Sequence, residues 1–122
     1  MAKQKEGSLQ ERIQRLIERR GGYVHKNWGS MISEPGVADL TVCYKGVYLA
    51  LETKVDNNTP SRAQGIHCRK VQKSGGITAI VWTIEEVKTI LQCIDDWYNE
   101  LVKPHQLQDY INDFGIDDGT RW

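Results

Sequence analysis

Residues 38–54, ADLTVCYKGVYLALETK, decide how this chain folds. They contain two runs rich in β-branched, aromatic and aliphatic residues, 38–44 and 47–54, separated by Lys45-Gly46. Two such runs joined by a two-residue connection that contains glycine predict a β-hairpin.

The register of this hairpin determines where three charged side chains lie. With a two-residue loop, Asp39 lies directly opposite Glu52, with Cβ atoms about 5 Å apart. Lys54 follows Glu52 by two residues and therefore points to the same face. A bulged three-residue loop is the alternative, because Lys45 is a poor occupant of a type I′ turn. That loop would shift the pairing by one residue and place the two carboxylates on opposite faces.

Two carboxylates that face each other across a strand pair repel one another. A divalent cation between them would offset the repulsion, and Mg²⁺ is usually held by one or two carboxylates with water and phosphate oxygens. Such a metal lowers the pKa of a bound water and offsets charge on a scissile phosphate. The pattern therefore predicts metal-assisted phosphodiester hydrolysis, with Lys54 orienting or deprotonating the water or stabilising the transition state. The alternative is a solvated sheet face on which Lys54 pairs with a carboxylate.

The composition is that of a single globular domain. The 122 residues are 39% hydrophobic and 26% charged, enough for one core. We expect the core to span about residues 9–102 and a tail, 103–122, to pack on it or on a second subunit. The sequence shows neither a membrane-spanning stretch nor a charged-then-apolar leader, so we expect a cytoplasmic protein of a bacterial or phage-infected cell. Three cysteines without CxxC spacing predict reduced thiols and no zinc site.

The charge distribution is compatible with nucleic-acid binding, although the formal net charge is zero. Residues 1–74 hold 13 Lys and Arg against 7 Asp and Glu, whereas residues 75–122 hold 3 against 9. A basic half around the predicted site favours phosphate binding. The two halves could also intermix in the fold and neutralise each other.

Periodicity and capping signals predict the remaining elements. A Ser8–Glu11 capping box starts a first helix that Gly21-Gly22 ends. The other predicted elements are a strand over 23–26, a helix over 60–74 capped by Thr59-Pro60, a strand over 77–82 and a helix over 84–102. The connection from the second hairpin strand through a helix to the next strand is a crossover, which predicts a parallel pair and a mixed sheet.

With these elements, the chain resembles the PD-(D/E)XK nuclease superfamily and, within it, the VRR-NUC family of virus-type replication-repair nucleases. The matching features are Gly36-Val37-Ala38-Asp39-Leu40, Leu51-Glu52-Thr53-Lys54, Ser61-x-x-Gln64, Gly75-Gly76 and the strand that follows. The resemblance covers roughly residues 9–84. It implies an α/β fold with a restriction-endonuclease-like core, in which helices flank a mixed central sheet.

The resemblance also implies roles for individual residues. Asp39, Glu52 and the backbone carbonyl of Thr53 would bind Mg²⁺ or Mn²⁺. Lys54 would be the catalytic lysine, and Gln64 would line the site and touch water or substrate. Ala38 stands where the superfamily name has proline, which is not a ligand.

Glu11 would be the acid of the first helix and a further metal ligand. Its place in the predicted capping box explains it equally well without a metal.

Several side chains outside this cluster are candidates for contacts with DNA. Trp28 is predicted either to stack on a base or to cover the core. The phosphate-contact candidates are Lys26, Ser30, Arg62, Arg69, Lys70 and Lys73.

The predicted function is a metal-dependent DNA endonuclease of phage or bacterial DNA replication, repair or recombination. The resemblance implies a homodimer that acts on Holliday junctions or other branched DNA. A catalytically silent nuclease fold that serves as a DNA-binding or assembly module is the alternative. A small subunit whose basic face binds a protein partner is the third hypothesis.

Overall fold

The computed structural model describes residues 6–28, 35–100 and 107–122. These ranges contain four helices and four strands. They are α1 (Glu6–Arg19), β1 (Tyr23–Lys26), β2 (Leu40–Tyr44), β3 (Val47–Thr53), α2 (Arg62–Lys73), β4 (Ile77–Val81), α3 (Ile84–Tyr98) and α4 (Leu107–Asn112).

The four strands form one mixed sheet in the order β1-β2-β3-β4. β1 pairs antiparallel with β2, and β2 pairs antiparallel with β3. β3 and β4 are parallel and are joined through α2. The predicted α/β class, the mixed sheet and the parallel crossover pair are therefore confirmed.

The hairpin has the register that a two-residue loop predicts. Tyr44 pairs with Val47 and Leu40 with Leu51. This register places Asp39, one residue before β2, beside Glu52 of β3. The shifted alternative is therefore wrong.

The turn tolerates Lys45 because its side chain is anchored. Lys45 and Gly46 have φ angles of 49° and 81°, and positive φ at both central positions defines a type I′ turn. The Lys45 ammonium lies 2.8 Å from a carboxylate oxygen of Asp95 on α3. The Tyr44 hydroxyl donates to the same oxygen at 2.7 Å. These contacts offset the cost of a non-glycine residue with positive φ.

One face of the hairpin forms the core, as its alternation predicts. Leu40, Val42, Leu49 and Leu51 are fully buried, in one cluster with side chains of α1 and α3. The apolar stripe of α1 is buried with them and comprises Leu9, Ile13, Leu16 and Ile17. The hairpin thus packs on α1 and α3 with one face, while α2 and the tail lie against the other face of the sheet at β4.

Two predicted helix starts are wrong, for local reasons. α1 already begins at Glu6, so Ser8 and Glu11 lie inside the helix rather than at its cap. α2 is capped by Ser61 rather than Thr59, because Ser61 and Gln64 bond reciprocally in a capping box. That box satisfies two N–H groups, which the Thr59-Pro60 start would leave without these partners.

The end of α3 also differs from the prediction. The helix ends at Tyr98 instead of continuing to 102, and Glu100 has a φ of 64°, which a helix does not accommodate. Pro104, the predicted terminator, lies outside the described residues.

The tail packs on the domain, which is the first of the two arrangements predicted for it. Leu107, Ile111 and Ile116 are buried in the main core. The backbone N–H of Thr78 on β4 donates to Gln108 Oε1 at 2.9 Å. The described part of the tail, 107–122, is therefore an integral part of this fold.

Among the helices within the described ranges, none combines the length and apolar character that crossing a bilayer requires.

Gly36 brings the loop before β2 against the first turn of α2. Its φ is 83°, a conformation that favours glycine, and a Cβ at this position would overlap the carbonyl group of Ala63. Because Asp39 follows three residues later and Gln64 comes directly after Ala63, this contact sets the distance between strand and helix at the strand ends.

We therefore expect Gly36→Ala to destabilise the protein by about 3 kcal/mol or more, since it adds a backbone clash to the strain of positive φ. Gly21→Ala is the matched control, because Gly21 has a φ of 86° and open space around it. The control is expected to lose about 1–2 kcal/mol. Urea denaturation of both variants measures the difference, and equal losses would contradict the packing role of Gly36.

Candidate active site

A group of polar residues collects at one end of the sheet. There β2 begins after Asp39, β3 ends with Glu52 and Thr53, and α2 begins beside them. The side chains come from the start of β2, the end of β3 and the start of α2, and the pairing of β2 with β3 fixes the first two groups relative to each other.

The carboxylate of Asp39 is held by the end of β3. Asp39 Oδ2 accepts hydrogen bonds from the backbone N–H of Thr53 at 3.0 Å and from the Thr53 hydroxyl at 2.8 Å. Hydrogen bonds to a charged acceptor are about twice as strong as neutral ones. Asp39 is therefore fixed in position although it lies one residue before the start of β2.

Glu52 is the most unusual group of the site, because a carboxylate with 2% exposure is rare in a folded protein. Its Oε1 accepts the backbone N–H of Asp39 at 3.0 Å. Burial, and then the charge of Asp39, raise the pKa of Glu52 to about 7, although Lys54 acts in the opposite direction. The charged form of Glu52 is thus disfavoured mainly by its burial and secondarily by the neighbouring carboxylate.

Lys54 and Gln64 both contact the second oxygen of Glu52. The Lys54 ammonium lies 3.1 Å from Glu52 Oε2, and Gln64 Nε2 donates to the same atom. Gln64 Oε1 meanwhile accepts the backbone N–H of Ser61 at 2.8 Å. One side chain therefore caps α2 and pins the buried carboxylate, which ties the start of this helix to the site.

The first helix contributes Gln10 to this cluster rather than Glu11. Gln10 is 7% exposed, and its Nε2 donates to the Thr53 hydroxyl at 2.9 Å. Glu11, one residue on, is exposed. Gln10 was not identified from the sequence. Its position next to the apolar stripe of α1 could have indicated a buried polar side chain.

The residues predicted to contact DNA do not all lie near this cluster. Lys26 ends β1 at the same end of the sheet, where it pairs with Leu40. Arg62 is an exposed residue in the first turn of α2. Arg69 donates to the backbone carbonyl of Thr120 at 2.7 Å and so holds the tail. Lys73 is exposed at the far end of α2, and Ser30 lies outside the described residues.

Lys70 and His67 face a different feature. They line a cavity of about 610 Å³ beside the hairpin turn, with Tyr48 and Trp97 among its other walls. This cavity lies at the end of the sheet opposite Glu52, and no carboxylate is among its described lining residues. We therefore do not place these two residues at the carboxylate cluster.

The donor set at the strand ends fits a divalent cation with few protein ligands. Across the described ranges, no group of three or more His, Cys, Asp or Glu side chains is arranged to hold a metal. Asp39 and Glu52 supply hard carboxylate oxygens, which suit Mg²⁺ or Mn²⁺ when water and phosphate oxygens complete the shell. Burial and the nearby charge of Asp39 both raise the pKa of Glu52, and a cation bound between the two carboxylates would favour their charged forms.

Comparisons with known proteins agree with this geometry. No protein-family profile and no curated protein matches the chain. A solved structure described as a VRR_NUC domain is similar, with 27% identity, a TM-score of 0.61, and coverage of 71% of this chain and 94% of that one. Hjc of Archaeoglobus fulgidus, a Holliday junction resolvase, has 14% identity, a TM-score of 0.51, and coverage of 63% and 67%, respectively.

The fold is accordingly that of the PD-(D/E)XK-type nucleases, and the similarity to the VRR_NUC domain supports a nuclease. Within this class, the chain has a VRR-NUC-type fold. The resemblance drawn from residues 9–84 is confirmed, and the similarity to Hjc, at its low identity, shows the fold alone.

The buried position of Gln10 leads to a prediction about stability. Its Oε1 is buried and has no hydrogen-bond partner among the described residues. Gln10→Met would remove the bond to Thr53, which costs about 1 kcal/mol, and would also remove the unsatisfied carbonyl, which gains about 1–3 kcal/mol. We expect the free energy of unfolding to stay equal or rise by about 1 kcal/mol. Urea denaturation beside Gln14→Met, a half-buried glutamine of the same helix, tests this, and a loss above about 2 kcal/mol would contradict it.

Proposed function

We propose that this protein is a metal-dependent nuclease that hydrolyses phosphodiester bonds in DNA. The observation that carries the proposal is the convergence of Asp39, Glu52 and Lys54 at the strand ends, with both carboxylates held by hydrogen bonds. Two carboxylates side by side, one of them buried, repel one another, and a divalent cation with a phosphate is a partner that would offset this repulsion. The similarity to a VRR_NUC domain supports the same conclusion.

Asp39 and Glu52, with the backbone carbonyl of Thr53, would hold Mg²⁺ or Mn²⁺. The bound ion would supply the positive charge that acidifies water and offsets the charge of the phosphate. Glu11 is not part of this proposal, because it is exposed while Gln10 reaches the cluster.

The chain's own residues position the reacting groups. The Lys54 side chain is 15% exposed. Because it is largely shielded from water, its positive charge interacts strongly with the neighbouring groups of the site. An ammonium has three donors, so Lys54 can contact Glu52 and a phosphate oxygen together. Gln64, in the first turn of α2, holds the Glu52 carboxylate in position through its hydrogen bond. Thr53, itself contacted by Gln10, keeps Asp39 oriented in the same way.

The first test is cleavage of labelled DNA by the purified protein with Mg²⁺, Mn²⁺ or EDTA. We expect metal-dependent cutting that Lys54→Ala lowers by about 100- to 1,000-fold, because it removes a positive group at the developing charge. Asp39→Asn should lower it at least as far. Lys88→Ala, an exposed lysine on α3, is the matched control and should cut normally.

Calorimetry with Mn²⁺ separates catalysis from mere binding. Wild type should bind Mn²⁺ and Asp39→Asn should bind it more weakly, whereas Lys54→Ala should keep its affinity. Absence of cleavage combined with normal DNA binding would favour the catalytically silent module instead.

We further propose that the substrate is branched DNA of phage or bacterial replication, repair or recombination, and that a homodimer cuts it. The resolvase Hjc, a Holliday junction enzyme, has the same fold and supports this choice.

We expect a four-way junction to be cut at least tenfold faster than a linear duplex built from the same strands. Sedimentation velocity should give a dimer at the concentration used for cutting. Equal cutting of both DNAs would contradict structure selectivity, and a cutting-competent monomer would contradict the homodimer. Neither result would affect the nuclease assignment itself.

A further inference from the structure

Trp28 is an exposed aromatic residue that the proposed chemistry does not use, and it follows β1 at the end of the sheet where Asp39 lies. Its surface is 73% exposed, so it does not cover the core. The Lys26 ammonium lies 4.4 Å from the centre of its ring. The ring therefore combines a cation over one face with a large solvent-exposed area.

The residue between them anchors Trp28 to the site. The backbone N–H of Asn27 donates to the carbonyl of Asp39 at 2.8 Å. The Asn27 side-chain amide donates to the carbonyl of Ala38 at 2.9 Å and to the Thr41 hydroxyl at 2.8 Å. Three bonds from one asparagine fix the backbone next to Trp28 against the residue that carries a site carboxylate.

From this placement we propose that Trp28 is a stacking platform for an unpaired DNA base next to the scissile phosphate. An indole presents a flat apolar face on which any base can stack, and the nearby Lys26 ammonium supplies attraction for the adjacent phosphate. Inside a duplex both faces of every base are already covered by their neighbours. Trp28 therefore selects nucleotides that are unstacked, as at a branch point, a flap or a single-stranded end.

The inference rests on the proposed nuclease function and narrows its substrate. It assigns to Trp28 a role in recognition of DNA structure, whereas the carboxylates and Lys54 serve hydrolysis. The two roles can be separated because DNA binding through Trp28 needs no metal.

The test is binding of fluorescein-labelled DNA in EDTA, measured by anisotropy. The probes are a thymidine 12-mer, a blunt duplex, and the same duplex with a thymidine flap. Trp28→Ala is expected to weaken binding of the 12-mer and of the flap about tenfold, with a smaller effect on the blunt duplex. Trp28→Phe should restore most of the affinity because it restores a flat ring.

Tyr23→Ala is the matched control. Tyr23 begins β1, the strand that precedes Trp28, is 64% exposed, and pairs with Cys43 towards the other end of the sheet. Its removal should leave binding of all three probes unchanged.

Two further measurements distinguish stacking from charge and from packing. Tryptophan fluorescence of the wild type should be quenched by the thymidine 12-mer, and this quenching should be lost in Trp28→Phe although that variant still binds. Lys26→Ala should lower the salt dependence of single-strand binding by about 0.7 in log–log slope, whereas Trp28→Ala should leave the slope unchanged.

The outcomes separate the two proposals. If the wild type binds all probes and Trp28→Ala weakens them equally or not at all, the stacking role is overturned and the nuclease assignment stands. If the wild type binds none of the DNAs in EDTA but cuts DNA with Mg²⁺ or Mn²⁺, the stacking role is overturned and the nuclease assignment stands. If it neither binds nor cuts DNA, both proposals fail. If Trp28→Ala changes self-association but not DNA binding, Trp28 belongs to a protein interface and the stacking role is overturned.

Discussion

The structure depends on the reciprocal hydrogen bonds between the ends of β2 and β3. The N–H of Asp39 donates to Glu52, and the N–H of Thr53 donates to Asp39. Each carboxylate is thus stabilised by the backbone of the other strand, which lets two negative groups face each other although their charges repel. The same two bonds continue the hairpin pairing one step beyond the last ladder pair, so the site and the sheet share one set of interactions.

The residues that surround the site also stabilise the fold. Gly36 brings the loop against α2, and the capping box of α2 uses Gln64, which also contacts Glu52. Gln10 lies in the apolar stripe of α1 and reaches Thr53. Gln64 and Gln10 therefore contribute both to the fold and to the site. Their contacts hold the buried Glu52 and its neighbour Thr53 in place and help to offset the cost of burying a carboxylate. This is the usual relation between a strained functional site and a rigid scaffold.

Much of this could be predicted from local patterns. The alternation in 38–54 and the two-residue connection predicted the register, the core face and the meeting of Asp39 with Glu52, and the pairing confirms all three. The helix boundaries were less predictable, since several start signals compete at close range. Ser61 with Gln64 prevailed over Thr59-Pro60 because a reciprocal pair satisfies more backbone groups than one cap. The presence of Lys45 in the turn was not predictable, because the Asp95 carboxylate that anchors it lies fifty residues further along the chain.

The sequence by itself determined which side chains meet at the strand ends. The two-residue period of a strand and a short turn leave little freedom in which side chains face each other. Only the tertiary structure decided which residue of α1 joins them. Gln10 and Glu11 differ by about 100° around the helix axis, and the packing of the apolar stripe on the sheet sets that rotation. The same holds for the tail and for Trp28, since burial and exposure of an apolar residue depend on what the rest of the chain places over it.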